Sequence, residues 1–177
     1  MWSGFHSRAR SWLGGILCAA AIAAGGSAHA GNQQEEAMAD SVRLALANAI
    51  ADTRPPKPVF RDEAARARYL QWFAEMSARL KKRLPDEQSR TEFLESAWYE
   101  STRAGLDPGL VLGLIQVESA YRKYAVSIVG ARGYMQVMPF WTKAIGDNDR
   151  RKLFHMQTNL RYGCSIRMLI RARSRPE

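Results

Sequence analysis

The chain has 177 residues, 46% of them hydrophobic, which is enough for one domain of ordinary size with a packed core. Lys and Arg number 26 against 17 Asp and Glu, a formal charge of +9 that suits polyanionic partners: nucleic acid, anionic lipid or an acidic wall polymer. Two cysteines and three histidines, scattered without ligand spacing, exclude a disulfide framework and argue against a metal site.

Residues 1–30 read as a secretory leader, with Arg8 and Arg10 as a basic start and an apolar middle from Trp12 to Ala24. Ala28-His29-Ala30 is a small-x-small cleavage site. The apolar run is too short and too rich in Ala and Gly for a membrane span, so no span is expected after cleavage. Cleavage removes two arginines and no acid, which lowers the formal charge from +9 to +7. It also removes Cys18 and leaves Cys164 unpaired, most simply as an inert core residue. No nucleic-acid motif is present, and export favours a wall polymer over nucleic acid as the polyanion. Residues 31–60 form a polar lead-in. Gln33 to Ala51 has helical spacing of Met38, Val42, Ala45, Leu46 and Ala49, and Pro55-Pro56-Lys57-Pro58 reads as an extended linker.

Residues 61–90 carry the next element, a helix predicted from about Asp62 to Leu84 and ended by Pro85. Ala65, Tyr69, Trp72, Phe73, Met76 and Leu80 form its apolar stripe, opposite a solvated face of Arg66, Arg68, Arg79, Lys81, Lys82 and Arg83. Ser89-x-x-Glu92 has the pattern of a capping box before Phe93, Leu94, Ala97 and Trp98, and Gly105 suits the position after a helix ending near Ala104. Asp107-Pro108 predicts an N-cap and first position of a third helix. Val111, Leu112, Leu114, Ile115 and Val117 are apolar nearly all round, so that helix is expected to be buried.

That third helix delivers Glu118 at its C-terminal end, and no further acid follows until Asp147. Burial and the negative end of the helix dipole both disfavour a charged carboxylate, so a residue here can hold a proton near neutral pH and serve as a general acid. Gly130 and Gly133 lie in a stretch, Ser127 to Val137, that reads as a loop or a very small sheet. Pro139 opens another helical turn with Phe140, Trp141 and Ile145. Residues 147–151 read as a loop without a full calcium-loop pattern. A last helix is expected over Met156 to Arg171, followed by a basic tail.

The stretch Glu118-Ser119, Tyr121, Ala125-Val126-Ser127, Gly130-Ala131, Gly133, Met135-Gln136 and Met138-Pro139 resembles the signature of the soluble lytic murein transglycosylases, the SLT family, related in fold to goose-type lysozyme. Tyr134 replaces the usual Leu, and Tyr124 stands where Pro is common. Asn159, Gly163 and Cys164 partly fit the family's Asn-x-x-x-Gly-x-x-x-Leu pattern. The resemblance runs from about Glu92 to Ile170. It implies a mainly α, lysozyme-like helical domain with a small β or loop segment, occupying residues 91–177.

The resemblance also implies a periplasmic enzyme that cleaves the β-1,4 bond between N-acetylmuramic acid and N-acetylglucosamine in peptidoglycan strands. Glu118 would be its only acid/base, the products would carry 1,6-anhydro ends, and no cofactor would be needed. Ser119, Tyr134, Met135 and Gln136 would contact or line the glycan cleft, and a cell-envelope protein is a candidate partner. Two alternatives stay open: a lysozyme-type hydrolase, and a non-catalytic or weakly active peptidoglycan-binding scaffold. Family members usually continue with further helices carrying an active-site tyrosine, for which this sequence shows no counterpart. The expectation is therefore a domain incomplete at its C-terminus, with apolar faces of Trp98, Leu114 and Met168 left uncovered.

Overall fold

The computed structural model describes residue 38 and residues 40–52 and 57–173. The leader at 1–30, its cleavage site and Pro55-Pro56 of the proline-rich linker lie outside these residues. The described chain is mainly α-helical, as expected, and the only β pairings among the described residues are two isolated antiparallel bridges.

The first helix, α1, spans Asp40–Ala51, and residues 33–37 of the predicted lead-in helix lie outside the described residues. It is more than a lead-in. Leu46 is fully buried, and Val42 and Ile50 pack beside it on the core. Helix α2, Glu63–Leu80, is capped by Asp62, whose carboxylate accepts from the Ala65 N–H at 2.6 Å. It stops four residues before the predicted end. Leu84 precedes Pro85 and is disfavoured from helical backbone. The intervening residues tighten into a turn, with the Arg83 and Leu84 N–H groups both donating to Leu80 O. The buried Arg90 secures that turn, donating to Leu84 O at 2.8 Å, Pro85 O at 3.1 Å and Ser77 Oγ at 3.0 Å.

Helix α3, Glu87–Arg103, starts earlier than the Ser89-x-x-Glu92 pattern suggests. Asp86 is the N-cap and accepts from the Ser89 N–H at 2.8 Å, while Glu92 accepts from Gln88 on the helix surface. Asp at an N-cap satisfies an orphan amide and meets the positive helix end, so it outcompetes the later serine. The Asp86 carboxyl is held below its ordinary pKa, first by its side-chain hydrogen bond to Ser89. A lowered carboxylate stabilises the fold above the ordinary Asp range and stops doing so as the pH falls through it. Asp86→Ala is therefore expected to lower the melting temperature at neutral pH more than Ser89→Ala does. The difference from wild type should shrink toward acid, as thermal unfolding at two pH values will show.

Helix α4, Pro108–Ser119, begins as predicted, with Asp107 accepting from the Leu110 N–H at 2.8 Å and Pro108 in the first turn. It is not buried all round. Val111, Leu112 and Ile115 enter the core, but Leu110 and Val117 remain exposed, because α4 packs at the side of α3 instead of being enclosed. A short helix α5, Phe140–Ile145, follows Pro139. The segment expected as a loop after it, 147–151, runs in its last two residues into a 3-10 helix at Arg150–Phe154, capped by the Asp149 carboxylate. Helix α6, Met156–Arg173, closes the described chain.

The packing centres on α3 and α6. Phe93, Leu94 and Ala97 of α3 meet Leu160, Cys164 and Ile166 of α6, with Val111 and Ile115 of α4 and Leu153 completing a dry core. Cys164 is fully buried there, and burial pushes its thiol up to about 12, so it is unreactive. Helix α1 lies against α5 and α6, and α2 lies against α3. Trp98 is not left uncovered: Tyr69 meets it edge-on at 5.0 Å and Trp72 at 4.9 Å, both from α2. Leu114 is half-buried against the core, and Met168 is exposed as expected.

Candidate active site

Glu118 sits in the last turn of α4, and that turn is built tightly. Ala120 and Tyr121 both take left-handed backbone, with φ of 49° and 62°. Each costs about 1–2 kcal/mol for an L-residue with a side chain. The cost is offset by anchoring: the Tyr121 hydroxyl donates to Leu112 O at 2.9 Å, and its ring meets Phe93 edge-on at 5.8 Å. The chain thus folds back under α4 and holds its end against α3. Arg122 Nε donates to Ser119 O at 3.0 Å, placing a cation at the negative helix end.

The Glu118 side chain is only 7% exposed. Oε1 accepts from Arg167 Nη2 of α6 at 2.8 Å, and Oε2 is buried with no hydrogen-bond partner among the described residues. Its pKa lies above the ordinary Glu value. Burial is the main cause, and the charge and hydrogen bond of Arg167 oppose it without cancelling it. The carboxyl therefore keeps its proton to higher pH than an ordinary Glu, with one oxygen held by Arg167 and the other without a hydrogen-bond partner among the described residues.

The other predicted site residues, Ser119, Tyr134, Met135 and Gln136, are all buried. Ser119 is buried, and its hydroxyl donates back to Ile115 O at 3.2 Å. Tyr134 is buried with its ring 5.0 Å from Phe93. Gln136 is buried in left-handed backbone, and its amide donates to Gly133 O at 2.9 Å and Ala125 O at 3.3 Å. Met135 is buried under α6. These side chains give the loop its shape from within. Reciprocal N–H to O bonds of 3.0 Å between Arg132 and Val137 form the small β-like turn expected from the glycines.

One stripe of α6 organises both halves of the site. Asn159, Gly163 and Arg167 are spaced four apart and share a helix face. Asn159 is fully buried; Oδ1 accepts from the Met135 N–H at 2.8 Å, and Nδ2 donates to Leu153 O at 2.8 Å and Arg132 O at 2.9 Å. Gly133 passes so close, at φ +73°, that a Cβ there would lie 2.4 Å from Asn159 Nδ2. A turn later, a Cβ on Gly163 would lie 2.3 Å from Met135 Sδ, so the missing side chain makes room for the methionine. The next turn carries Arg167 to Glu118. Asn159→Leu, which has similar volume, would strand two backbone groups, the Met135 N–H and Leu153 O, while Arg132 O keeps its bond from the Val137 N–H. At about 1–3 kcal/mol for each unsatisfied group, we expect a large loss of stability and faster amide exchange at Met135, measurable by hydrogen exchange.

Residues 96–169 match the family model described as the transglycosylase SLT domain. This segment is similar to the SLT transglycosylases. The SLT segment is also similar to curated relatives named membrane-bound lytic murein transglycosylase C. That of Actinobacillus pleuropneumoniae serotype 5b is 38% identical over 77 residues, 39% of this chain and 21% of the relative. That of Glaesserella parasuis serovar 5 is 37% identical over 79 residues, 40% of this chain and 22% of the relative. A shorter match, 49% identical over 37 residues, is to the Haemophilus influenzae strain PittEE protein and covers 21% of this chain and 10% of the relative. The chain thus spans about a fifth of the length of the first two relatives. No solved structure matches it.

Within the SLT segment, Arg167 is the residue that sequence reasoning missed. The four-residue spacing from Asn159 and Gly163 was the available signal: an arginine in register with two residues that pack against the motif loop. Among the described residues, no group of three or more His, Cys, Asp or Glu could hold a metal ion. No described helix is long and apolar enough to cross a membrane.

Proposed function

We propose that this protein is a lytic transglycosylase of peptidoglycan, with Glu118 as its only acid/base. The observation that carries the reading is the Glu118 carboxyl itself: buried, raised in pKa, with Oε2 lacking a protein partner and no other carboxylate acting on it among the described residues. A two-carboxylate glycosidase needs a nucleophile or a base beside the acid. One carboxyl suffices where the sugar supplies its own nucleophile.

In this reading the protonated Glu118 gives its proton to the glycosidic oxygen as the bond from C1 of N-acetylmuramic acid breaks. The bonding pair leaves with the N-acetylglucosamine oxygen, and the 2-acetamido group supports the positive charge at C1. The sugar's own 6-hydroxyl oxygen then bonds to C1 and returns its proton to Glu118. No water is consumed, and a 1,6-anhydro end results. An intramolecular nucleophile contributes several kcal/mol, about 7 in favourable geometry. Ser119, Tyr134, Met135 and Gln136 form the base of the glycan cleft, with their side chains bracing the loop over which the strand lies.

The test is mass spectrometry of peptidoglycan incubated with the protein. Anhydro-muropeptides support the reading. Reducing ends would make it a lysozyme-type hydrolase, and binding without cleavage a scaffold. The leader and the relatives' membrane-bound description support a cell-envelope location, which we take to be the periplasm, where a protein partner could also be met. Cleavage after Ala30 should leave Gly31 as the mature N-terminus, and intact-mass analysis finding residues 1–30 retained would contradict export by that route.

A further inference from the structure

Arg167 approaches the site carboxyl from a different helix, and the contact is specific. Its Nη2 lies 2.8 Å from Glu118 Oε1, while Oε2, equally buried, has no partner among the described residues. An oxygen already accepting from a guanidinium is the poorer place for a proton, and a guanidinium cannot itself give up or take one. We propose that Arg167 is the positioning residue of Glu118: by holding Oε1, it makes Oε2 the oxygen that carries, delivers and recovers the proton. This rests on the reading of Glu118 as the acid/base.

The surroundings leave this task to Arg167. Helix α4 contains no charged residue apart from Glu118. From the segment after α4, Arg122 Nε is occupied by Ser119 O, and the Tyr121 hydroxyl by Leu112 O. From α6, Arg167 is the charge that acts on Glu118 among the described residues. The Arg167 side chain is 36% exposed, so its stem is held by the helix while its head reaches a carboxyl that is nearly dry. Two consequences follow. The carboxylate left after proton donation is balanced by a cation at hydrogen-bond distance. The carboxyl is also prevented from rotating its open oxygen away from the substrate.

The experiment compares wild type with Arg167→Met, Arg167→Gln and Arg167→Lys. In protein carrying glutamate labelled with carbon-13 at the carboxyl carbon, the Glu118 signal is found by its absence in Glu118→Gln. Its titration is then followed by NMR. Removing the cation leaves burial unopposed, so Arg167→Met and Arg167→Gln should titrate at higher pH than wild type, and Arg167→Lys should return toward it. On peptidoglycan, the acid must start protonated, so activity falls as pH rises through the Glu118 midpoint. The alkaline limb of kcat/KM should therefore move up with the NMR midpoint. The maximal kcat of the Met and Gln variants should drop on the order of 10²-fold, with KM little changed. An unchanged Glu118 titration in both neutral variants would overturn the proposal, as would a loss confined to KM, which would make Arg167 a substrate contact. If Arg167→Met does not fold, Arg167→Gln against Arg167→Lys decides the same question. The titration needs no turnover, so absence of anhydro products from wild type would defeat the enzymatic reading while the NMR comparison still decides what Arg167 does to Glu118.

Discussion

Glu118→Gln is expected to remove nearly all release of anhydro-muropeptides while leaving the fold and glycan binding in place. The amide keeps the shape of the side chain, and its oxygen still accepts from Arg167, but it can neither donate nor recover a proton. General acid-base catalysis alone is worth about 10²–10⁴-fold, and here one group performs both halves. The same substitution should raise the melting temperature at neutral pH. The pKa of Glu118 is raised in the fold, so the native state binds this proton more tightly than the unfolded chain. Stability from it is complete below the ordinary Glu range and is lost as the pH climbs toward the raised pKa. Gln has no charge to desolvate, so its advantage over wild type should be clear at neutrality and vanish near pH ~4. Turnover measured alongside thermal unfolding at the two pH values checks both halves. A Gln variant with near wild-type turnover would move the acid elsewhere.

The largest loss of stability is expected at Glu100. Its side chain is fully buried and joins two arginines: Oε1 accepts from Arg161 Nε at 3.0 Å, and Oε2 from Arg103 Nη2 at 2.9 Å. Arg103 also donates to Ala49 O at 3.1 Å, so the cluster ties α1 as well as α6 to α3. Breaking a buried pair from one side leaves charge without compensation and typically costs about 3–5 kcal/mol. Against a total stability of about 5–15 kcal/mol, Glu100→Gln should move the urea midpoint far down. Replacing Glu100 and Arg161 together by methionines should recover part of the loss, since no charge is then stranded between those two positions. A small midpoint shift in the single variant would show that Arg103 and Arg161 find water instead. Because α6 also carries Asn159, Gly163 and Arg167, loosening it should disturb the site before the chain unfolds globally.

Much of this molecule is written in local sequence. The Asp107-Pro108 start of α4, the apolar stripe of α2 and the span of α6 follow from caps and periodicity, which act over a few residues. Glu118 stood out because it ends an apolar helix and leads a motif whose glycines and Met135-Gln136 keep fixed spacing. Local signals misplaced the start of α3, where Asp86 competed with Ser89 for the same role, and the end of α2, where the Leu84-Pro85 step acted one turn earlier than expected.

The tertiary structure decided what meets what across the chain. Glu100 falls on the apolar stripe of α3, and Arg161 beside the stripe of α6; each looks like an interruption until the helices pack and the two charges meet. Helix α1 reads as a lead-in, yet packing buries Leu46 and joins it to α6. Trp98 reads as an exposed face, yet α2 covers it. Arg167 and Glu118 are 49 positions apart, and no periodicity links residues on different helices. Sequence alone located the helices, Glu118 at the end of α4 and the loop motif, because caps, turns and spacing are short-range. Packing of α4 and α6 on α3 decided which oxygen of Glu118 is held and which is not, because a contact between distant segments exists only after the core has formed.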